Sequence, residues 1–330
     1  NRRFYDKKVK ELEQEQRYPI TILIGDLNGL KITNDVFGHE MGDQLLKITA
    51  EILENSTRDK DYLVRWGGDE FCVIAPETTF AEGQKIINRI NKKTENYKFR
   101  KITISIAFGL ATKNQSEFDL STVFNEAEDD MYSNKEEQKE SFNNRLLQSL
   151  LTKMEASNYY VVEHSQRMIE LAIKFAEHFD FSKKDKEQLV NAIKIHDIGK
   201  LALDQEMLKQ KSEFSQEQLA KFKKHPEYSY KIANNFNSFR RVSNDILHHH
   251  EYWNGSGYPE GLAGENIPWL SRIIAVIDTF DALTFKGINH ELVLEISNTN
   301  LSDKEALNRI KDYAGIYFDP QVVNMFSELI

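Results

Sequence analysis

Histidines and carboxylates in the second half of the chain have the residue types and the grouping of a metal site. Three adjacent histidines begin the segment HHHEYWNGSGYPEG at residues 248–261, and HDIGK at residues 196–200 places a histidine beside an aspartate. Taken alone, the three histidines have chance or a solvated polar turn as their alternative interpretation, and a lone buried His-Asp pair is usually a satisfied structural contact. The candidate metal ligands in this half are His164, His196, Asp197, His225, His249, His250 and Asp278.

Together these side chains predict a binuclear metal centre. Neutral imidazoles combined with carboxylates suit two Fe or Mn ions, and another divalent metal such as zinc less clearly. Two metal ions about 3.5–4 Å apart that share a carboxylate and a water generate a hydroxide nucleophile and clamp a phosphodiester. The second half of the chain is therefore predicted to hydrolyse a phosphodiester.

A second set of chemically suitable residues lies in the first half of the chain. Asp26 ends a β-branched apolar run, and Asp69 and Glu70 follow the pair Gly67 and Gly68 in RWGGDEF. Carboxylates at neighbouring strand ends can bind Mg²⁺, and glycines let a phosphate approach the backbone. Considered alone, however, Gly-Gly usually marks a hairpin, and adjacent acidic residues are usually solvated charges.

The hydrophobic pattern predicts two kinds of domain that position these residues. In the first half, strands alternate with helices, which predicts an α/β domain. Its predicted strands are 18–29, 101–109 and the two that flank the Gly-Gly turn, and its predicted helices are 42–56, 80–94 and one from about 121. Residues 126–157 predict a long connecting helix. The all-α second half is predicted to contain helices at 158–179, 185–198, 215–235, 239–251, 270–285 and 303–312.

Composition limits the classes of protein to which this chain can belong. Its 330 residues are enough for two domains, and no apolar run is long enough to span a membrane. The net charge of −9 argues against nucleic acid as a partner, and the single cysteine, Cys72, fits a reducing, cytoplasmic setting. Because the chain opens NRRFYDKK without methionine, we expect a longer protein with an upstream sensory region that could tether it to a membrane.

Residues 1–140 resemble the GGDEF family of diguanylate cyclases. The segments that carry the resemblance are RWGGDEF, DLNGLKITNDVFGHEMGD at residues 26–43 and AEDDMYSNK at residues 127–135. The resemblance implies a nucleotide-cyclase-like fold, with a mostly antiparallel central sheet and flanking helices. It also implies a homodimer in which each protomer holds one GTP. The 3′-hydroxyl of each GTP attacks the α-phosphate of the other, which yields cyclic di-GMP and pyrophosphate.

The same resemblance assigns roles to individual residues. Asp26 and Glu70 would hold Mg²⁺, with the catalytic Asp69 beside them. The implied substrate-binding residues are Asn34 and Asp43 at the guanine edge, Gly67 and Gly68 at the phosphates, and Lys135 and Lys139 at the triphosphate. Arg58 and Asp61 match the inhibitory site at which cyclic di-GMP shuts down its own synthesis. Asn28 departs from the family, which often has aspartate there, but that position approaches phosphate mainly through its backbone.

The second half of the chain resembles the HD-GYP branch of the HD phosphohydrolases. The matching segments are EHSQR, HDIGK, KKHPE, HHEYWNGSGYP, IAVIDTFDALT and FDPQVV. Members of this branch hydrolyse cyclic di-GMP to the linear dinucleotide or to GMP. A helical linker at 141–157 would precede this domain at 158–330, an HD-type helical bundle. The resemblance implies that Asp197 bridges two metals and that Lys200 faces the scissile phosphate. One metal would be held by His164, His196, Asp197 and Asp278, and the other by Asp197, His225, His249 and His250. Gly255, Gly257, Tyr258 and Pro259 would shape the mouth of the site, and His248 would not be a ligand.

Two departures from the HD-GYP pattern bear on activity. Tyr160 occupies the position where some members carry a glutamate for a third metal, which favours a binuclear site. DALT is normally followed by a basic, proline-containing segment that grips the substrate, whereas here FKGINHELVLEIS offers only Lys286 as a nearby cation. The metal site is therefore predicted to be complete and the substrate grip to be altered.

Three hypotheses follow from these patterns. The first is a bifunctional enzyme that both makes and hydrolyses cyclic di-GMP. The second is an enzyme with one working half, either a net cyclase or a phosphodiesterase regulated by GTP binding to the GGDEF domain. The third is a nucleotide-sensing interaction protein without turnover, against which the complete set of metal ligands argues.

Overall fold

The computed structural model describes residues 2–99, 102–115, 119–157, 159–209, 214–285 and 300–330. The chain divides into two compact units, Asn1–Ser149 and Leu150–Ile330. None of the described helices combines the length and the apolar character that crossing a bilayer requires.

The first unit is an α/β domain built on a four-stranded antiparallel sheet in the order β2-β3-β1-β6. This confirms the predicted fold class. Its elements are α1 (Arg2–Glu15), β1 (Ile20–Leu27), α2 (Leu30–Phe37), α3 (His39–Glu54), β2 (Tyr62–Arg65), β3 (Glu70–Ala75), α4 (Phe80–Asn96), β4 (Lys98–Phe99), β5 (Ile102–Thr103), β6 (Ile106–Lys113) and α5 (Leu120–Ser157). Strands β4 and β5 form a separate two-stranded ribbon.

Strand β1 is the centre of this sheet because it is apolar on both faces. All eight of its residues are buried. Ile22 and Ile24 pack into one core with residues of α1 and α5, whereas Leu23 and Leu27 pack into a second core with residues of α3 and α4. The strand is therefore fixed on both sides, and the end that carries Asp26 is held firmly in place.

Helix α5 lies directly against the edge strand β6. A methyl group at Gly109 would come within 2.0 Å of the carbonyl oxygen of Ala127, so only glycine permits this approach. Asp130 accepts from the backbone N–H of Leu110 at 3.0 Å, and the amide of Asn134 donates to the carbonyl of Phe108 at 2.9 Å. Side chains of α5 thus satisfy groups on the open edge of the sheet, and they set the position of the next residue, Lys135.

The second unit is helical, as predicted. Its elements are α6 (Tyr159–His178), α7 (Lys183–Ile195), a 3₁₀ helix (Ile198–Ala202), α8 (Gln205–Lys209), α9 (Gln216–Phe222), α10 (His225–Asn234), a 3₁₀ helix (Arg240–Val242), α11 (Ser243–Leu247), a 3₁₀ helix (Gly264–Asn266), α12 (Trp269–Thr284), α13 (Asp303–Asp312) and α14 (Pro320–Leu329).

Two helices predicted in this unit are shorter than expected. The helix predicted at 215–235 is interrupted between Phe222 and His225, because Pro226 lacks an N–H and favours the first turn of a new helix. The helix predicted at 239–251 ends at Leu247, so the three histidines that follow lie in a turn. The prediction that His249 and His250 lie on this helix was therefore wrong.

Other elements differ from the sequence prediction as well. The strand predicted at 101–109 was wrong in its bounds, because the sheet strand β6 begins only at Ile106 and runs to Lys113. Helices α1, α2 and α14 were not predicted. The hairpin on either side of the Gly-Gly turn is confirmed by the pairing of β2 with β3.

Candidate metal-binding and nucleotide-binding sites

In the first unit, the predicted carboxylates meet at one end of the sheet. Asp26 of β1 lies directly opposite Glu70, the first residue of β3. The carbonyl of Asp69 accepts from the N–H of Leu27 at 3.0 Å, which ties the Gly-Gly turn to β1. A methyl group at Gly67 would lie 2.8 Å from Oε2 of Glu70, whereas one at Gly68 would meet no atom within 4 Å. Gly67 thus makes room for the Glu70 carboxylate.

The charges at this end of the sheet fit a divalent cation. Burial raises the pKa of Asp26, although Lys135 lies 2.7 Å away and opposes that rise. Burial, together with Asp26 and Asp69, raises the pKa of Glu70. Oδ1 of Asp26 is buried and has no hydrogen-bond partner among the described residues. A buried carboxylate oxygen without a donor, beside other carboxylates, is suited to Mg²⁺.

The residues predicted to read guanine lie on consecutive helices. Asn34 is in α2 and Asp43 is in α3. Oδ1 of Asn34 lies only 1.8 Å from the position that a methyl group on Gly42 would occupy, so the amide rests against the residue preceding Asp43. Asp43 is exposed. The fold therefore brings an amide and a solvent-facing carboxylate together.

Helix α5 contributes a residue that the sequence did not single out. The ring of Phe142 would lie 2.9 Å from a methyl group on Gly29, which follows β1 and has a φ of 80°. Lys139, predicted to contact the triphosphate, pairs with Glu136 at 2.9 Å on the exposed face of the helix, and its role stays a prediction. Phe142 thus covers part of the loop that follows Asp26.

Arg58 and Asp61 contact one another. The Asp61 carboxylate is buried and accepts from the backbone N–H of Arg58 at 2.8 Å and from its guanidinium at 3.0 Å. The guanidinium also donates to the hydroxyl of Thr78. Their role as an inhibitory site stays a prediction.

In the second unit, the predicted metal ligands form two buried triads. The first contains His164, His196 and Asp278, and the second contains His225, His249 and His250. Within each triad, one ligand atom from each residue lies within 4.8 Å of the others. These six residues come from α6, the end of α7, α10, the turn after α11, and α12.

Asp197 lies between the two triads. Its Oδ2 is 3.5 Å from Nε2 of His196, and its Oδ1 is 3.3 Å from Nε2 of His225. Burial would raise the pKa of Asp197, but Lys200, His196 and His225 hold that pKa well below its ordinary value. An ionised carboxylate with one oxygen toward each triad has the geometry of a bridging ligand.

The same local arrangement orients three of the histidines. Nδ1 of His196 lies 2.7 Å from the carbonyl of Ile193, Nδ1 of His225 lies 2.8 Å from that of Phe222, and Nδ1 of His249 lies 2.5 Å from that of Ile246. Each carbonyl lies in the last turn of a helix, where it has no partner within the helix. Since a carbonyl only accepts, Nδ1 must carry the proton, and Nε2 keeps its lone pair.

The Nε2 atoms are the atoms that would face a metal. Those of His196 and His249 are buried and have no hydrogen-bond partner among the described residues, and that of His225 faces Asp197. Burial lowers the pKa of His249 to about 3, which keeps this imidazole neutral. Imidazoles that are oriented in this way, with buried Nε2 atoms, fit a transition-metal site.

His164 is oriented by a carboxylate that the sequence interpretation missed. Its Nδ1 lies 2.6 Å from Asp281, one turn beyond Asp278 on α12, and Arg167 holds Asp281 through bonds of 2.6 and 2.8 Å. Burial lowers the pKa of His164, but the hydrogen bonds to Asp278 and Asp281 outweigh that effect and raise it to about 9. Asp281 lies within DALT, and its spacing of three from Asp278 was the signal available in the sequence.

The glycine-rich loop is fastened by Glu251, which the sequence interpretation also missed. Its buried carboxylate accepts from the backbone N–H groups of Glu260, Gly261 and Leu262 at 2.8, 3.1 and 3.0 Å. His248 approaches Glu260 at 3.3 Å and belongs to neither triad.

The fastened loop passes close to the second triad. The ring of Tyr258 stacks on His250 at 5.0 Å, and its backbone N–H donates to the carbonyl of that histidine at 3.1 Å. A methyl group at Gly257 would lie 2.3 Å from the backbone nitrogen of Tyr252, so glycine is required there. Pro259 follows Tyr258 directly in the loop.

Lys200 lies beside the bridging carboxylate. Its Nζ is 2.5 Å from Oδ2 of Asp197.

The predictions that rest on Tyr160, and on the segment after Thr284 with Lys286, concern side chains outside the described part of the chain.

Comparison with protein families agrees with both halves of this description. A family model described as the HD domain matches residues 150–322. A second model, described as the diguanylate cyclase GGDEF domain, matches residues 1–141. These matches confirm the two resemblances inferred from the sequence.

Three curated relatives represent the activities found among similar proteins. The chain is 30% identical over 187 residues to the 3′3′-cGAMP-specific phosphodiesterase 2 of Vibrio cholerae, covering 56% of this chain and 34% of that protein. It is 38% identical over 120 residues to a cyclic di-GMP phosphodiesterase response regulator of Xanthomonas campestris, covering 36% and 32%. It is 29% identical over 126 residues to diguanylate cyclase A of Treponema denticola, covering 37% and 34%. The chain thus spans about a third of the length of each of these relatives.

Proposed function

The chain belongs to the HD domain family and carries a diguanylate cyclase GGDEF domain ahead of it, and from this premise we propose that it both makes and hydrolyses cyclic di-GMP. The observation that carries the proposal is Asp197, whose two oxygens face His196 and His225 in two different metal-binding triads. A centre of this kind is suited to cleaving a phosphodiester.

The hydrolytic half would bind two Fe or Mn ions through the two triads and Asp197. When bound, such a pair supplies Lewis acidity and an activated water for phosphodiester hydrolysis. Lys200 places an ammonium 2.5 Å from Asp197, where it would neutralise charge that develops on the cleaved phosphate. The loop with Gly257, Tyr258 and Pro259 would border the substrate, and the products would be the linear dinucleotide or GMP.

The synthetic half would hold one GTP per chain. Asp26 and Glu70 would bind Mg²⁺, with Asp69 beside them, while Lys135 neutralises the triphosphate. Gly67 and Gly68 would let the phosphates approach the backbone, and Asn34 and Asp43 would pair with the guanine edge. Because the reaction joins two GTP molecules and each chain offers one such set of residues, synthesis requires a homodimer.

Regulation of the synthetic half, and the setting in which it works, complete the proposal. Arg58 and Asp61 would bind cyclic di-GMP and limit its synthesis, which requires their mutual ion pair to open. A cytoplasmic location is part of the same proposal.

A phosphodiesterase that binds GTP without turnover is the second candidate. Phe142 favours it, because its ring lies against Gly29 in the loop where phosphate would bind. In that case the GGDEF half would act as a sensor for the hydrolytic half.

The test is product analysis on the purified chain in two separate reactions, GTP with Mg²⁺ and cyclic di-GMP with Mn²⁺ or anaerobic Fe²⁺. The proposal predicts cyclic di-GMP in the first and linear dinucleotide or GMP in the second. The double variant Asp69→Asn/Glu70→Gln should lose only synthesis, and His196→Ala/Asp197→Ala should lose only hydrolysis. Hydrolysis without synthesis would select the second candidate. The absence of both reactions would overturn both candidates.

A further inference from the structure

A cyclic dinucleotide carries two phosphodiester anions, and the hydrolytic site described so far accounts for one of them. The phosphate that is cleaved would lie at the metal centre with Lys200. The second phosphate remains charged throughout the reaction and is bound best by a separate cation. In the sequence, the segment after Thr284 offers only Lys286, where the family has a basic grip.

Lys223 places a cation at the rim of the second triad. It lies in the turn between α9 and α10, two residues before His225. Its Nζ is 5.1 Å from the centre of the Tyr258 ring, and that ring stacks on His250. The Tyr258 ring therefore contacts both the ammonium of Lys223 and a histidine of the second triad.

The turn that carries Lys223 is anchored against the site. The ring of Phe222 lies 5.0 Å from that of His225, and Nζ of Lys200 lies 5.4 Å from the same Phe222 ring. The turn is thus anchored between Lys200 and the second triad. Lys223 itself is half-exposed.

The neighbouring lysines do not share this geometry. Lys221 pairs with Glu217 at 2.7 Å on the outer face of α9. Lys224 is exposed, and the structure places neither of these two lysines over a ring of the site. The approach to Tyr258 is thus a property of Lys223 and not of the basic run as a whole.

We propose that Lys223 binds the phosphate of the cyclic dinucleotide that is not cleaved, with the Tyr258 ring as its support. The proposal rests on the phosphodiesterase function proposed above. Lys223 thereby supplies part of the grip that the segment after Thr284 lacks, and it favours substrates with two phosphates over simple phosphodiesters.

The test compares Lys223→Gln with the matched control Lys224→Gln, using bis(p-nitrophenyl) phosphate, which has one phosphate, as the substrate. Cyclic di-GMP is added as a competitor, so its Ki reports binding at the hydrolytic site alone. We expect Lys223→Gln to raise that Ki about tenfold or more, the loss of one charge-assisted contact. The kcat/KM for the simple diester should stay unchanged, which also shows that the variant is folded.

Two results would overturn the proposal. One is an equal Ki in the two variants, and the other is an equal loss of simple-diester hydrolysis and of cyclic di-GMP binding in Lys223→Gln. The phosphodiesterase proposal fails separately, if the wild-type chain cleaves the simple diester and leaves cyclic di-GMP intact. The Ki comparison still decides the role of Lys223 in that case.

Discussion

The carboxylate of Asp281 lies 2.6 Å from Nδ1 of His164, on the side of the ring opposite to Nε2, which lies 3.0 Å from Asp278. A carboxylate thus orients His164 in the first triad. The other oriented histidines, His196, His225 and His249, use backbone carbonyls.

Replacing Asp281 should therefore weaken metal binding without removing a ligand. We expect Asp281→Asn to lower the affinity for Mn²⁺ about 10–100-fold, as is usual when the partner of a metal-binding histidine is lost. Titration of the metal-free protein measures this directly. The exposed Asp312→Asn is the control and should bind Mn²⁺ like the wild type, and equal affinities in all three proteins would show that Asp281 does not orient the site.

Loss of the Glu251 carboxylate should release the glycine-rich loop. Glu251→Ala leaves three backbone N–H groups without their acceptor, and each such group costs about 1–3 kcal/mol if it stays buried. We expect a lower Tm and a large fall in hydrolysis, with metal content unchanged because Glu251 belongs to neither triad. Glu265→Ala, at an exposed position, should change none of these three quantities. Loss of metal in Glu251→Ala would instead mean that the loop holds the triads together.

The two glycines of the hairpin should differ in their tolerance of a methyl group. Gly67→Ala would push the Glu70 carboxylate from its position, so Mg²⁺ binding by the GGDEF half should weaken about tenfold. Gly68→Ala meets open space and should leave Mg²⁺ binding as it is. Mn²⁺ used as a spectroscopic substitute for Mg²⁺ reports both affinities, and the reverse order would contradict the placement of Glu70.

Phe142 provides a test of how the loop after β1 is covered. Phe142→Ala should lower the Kd for GTP about fivefold, the equivalent of about 1 kcal/mol, because the ring no longer lies against Gly29. Tyr132→Ala removes an exposed ring from the same helix and should leave the Kd unchanged. An unchanged Kd in both variants would mean that GTP binds without contacting the Phe142 side of the loop.

Asp245 should make the stability of the second unit depend on pH. Burial raises its pKa to about 6, so folding favours the protonated carboxyl. The stability that protonation provides is complete below the ordinary pKa near 4 and is lost as the pH rises through about 6. Asp245→Asn should therefore be more stable than the wild type at pH 7, by about 2 kcal/mol after allowance for partial exposure, and not at pH 4. Urea unfolding at the two pH values measures the difference, and an advantage that is equal at both would exclude ionisation as its cause.

The sequence predicted which residues form the two triads of the second unit, but it did not predict the local structure that orients them. His196, His225 and His249 could be selected by type and motif, but their orientation depends on helices that end just before them. Apolar spacing continues across Lys223 and Lys224 and across the three histidines, so periodicity merges short helices that Pro226 and the turn after Leu247 separate.

Partners of the ligands were harder to find, because their role depends on tertiary contacts. Asp281 lies on a largely apolar helix, and its spacing of three from Asp278 does not by itself show that it contacts His164. Glu251 gives no signal in the sequence that it reaches three N–H groups nine to eleven residues later. In the first unit, Asp26 and Glu70 could likewise be selected by type and motif, but α2, α3 and β2 separate their strands in sequence, so only the sheet pairing of β1 with β3 shows that they meet.

The most direct test of the metal centre is its stoichiometry in a chain whose GGDEF carboxylates have been removed by Asp26→Asn and Glu70→Gln. After anaerobic reconstitution with Fe²⁺ or Mn²⁺ and removal of free metal, the account predicts two metal ions per chain and hydrolysis of cyclic di-GMP. Adding Asp197→Asn to the same chain should abolish hydrolysis and lower the metal content. A single ion per chain, or two ions that persist with full activity after Asp197→Asn, would contradict a centre bridged by Asp197.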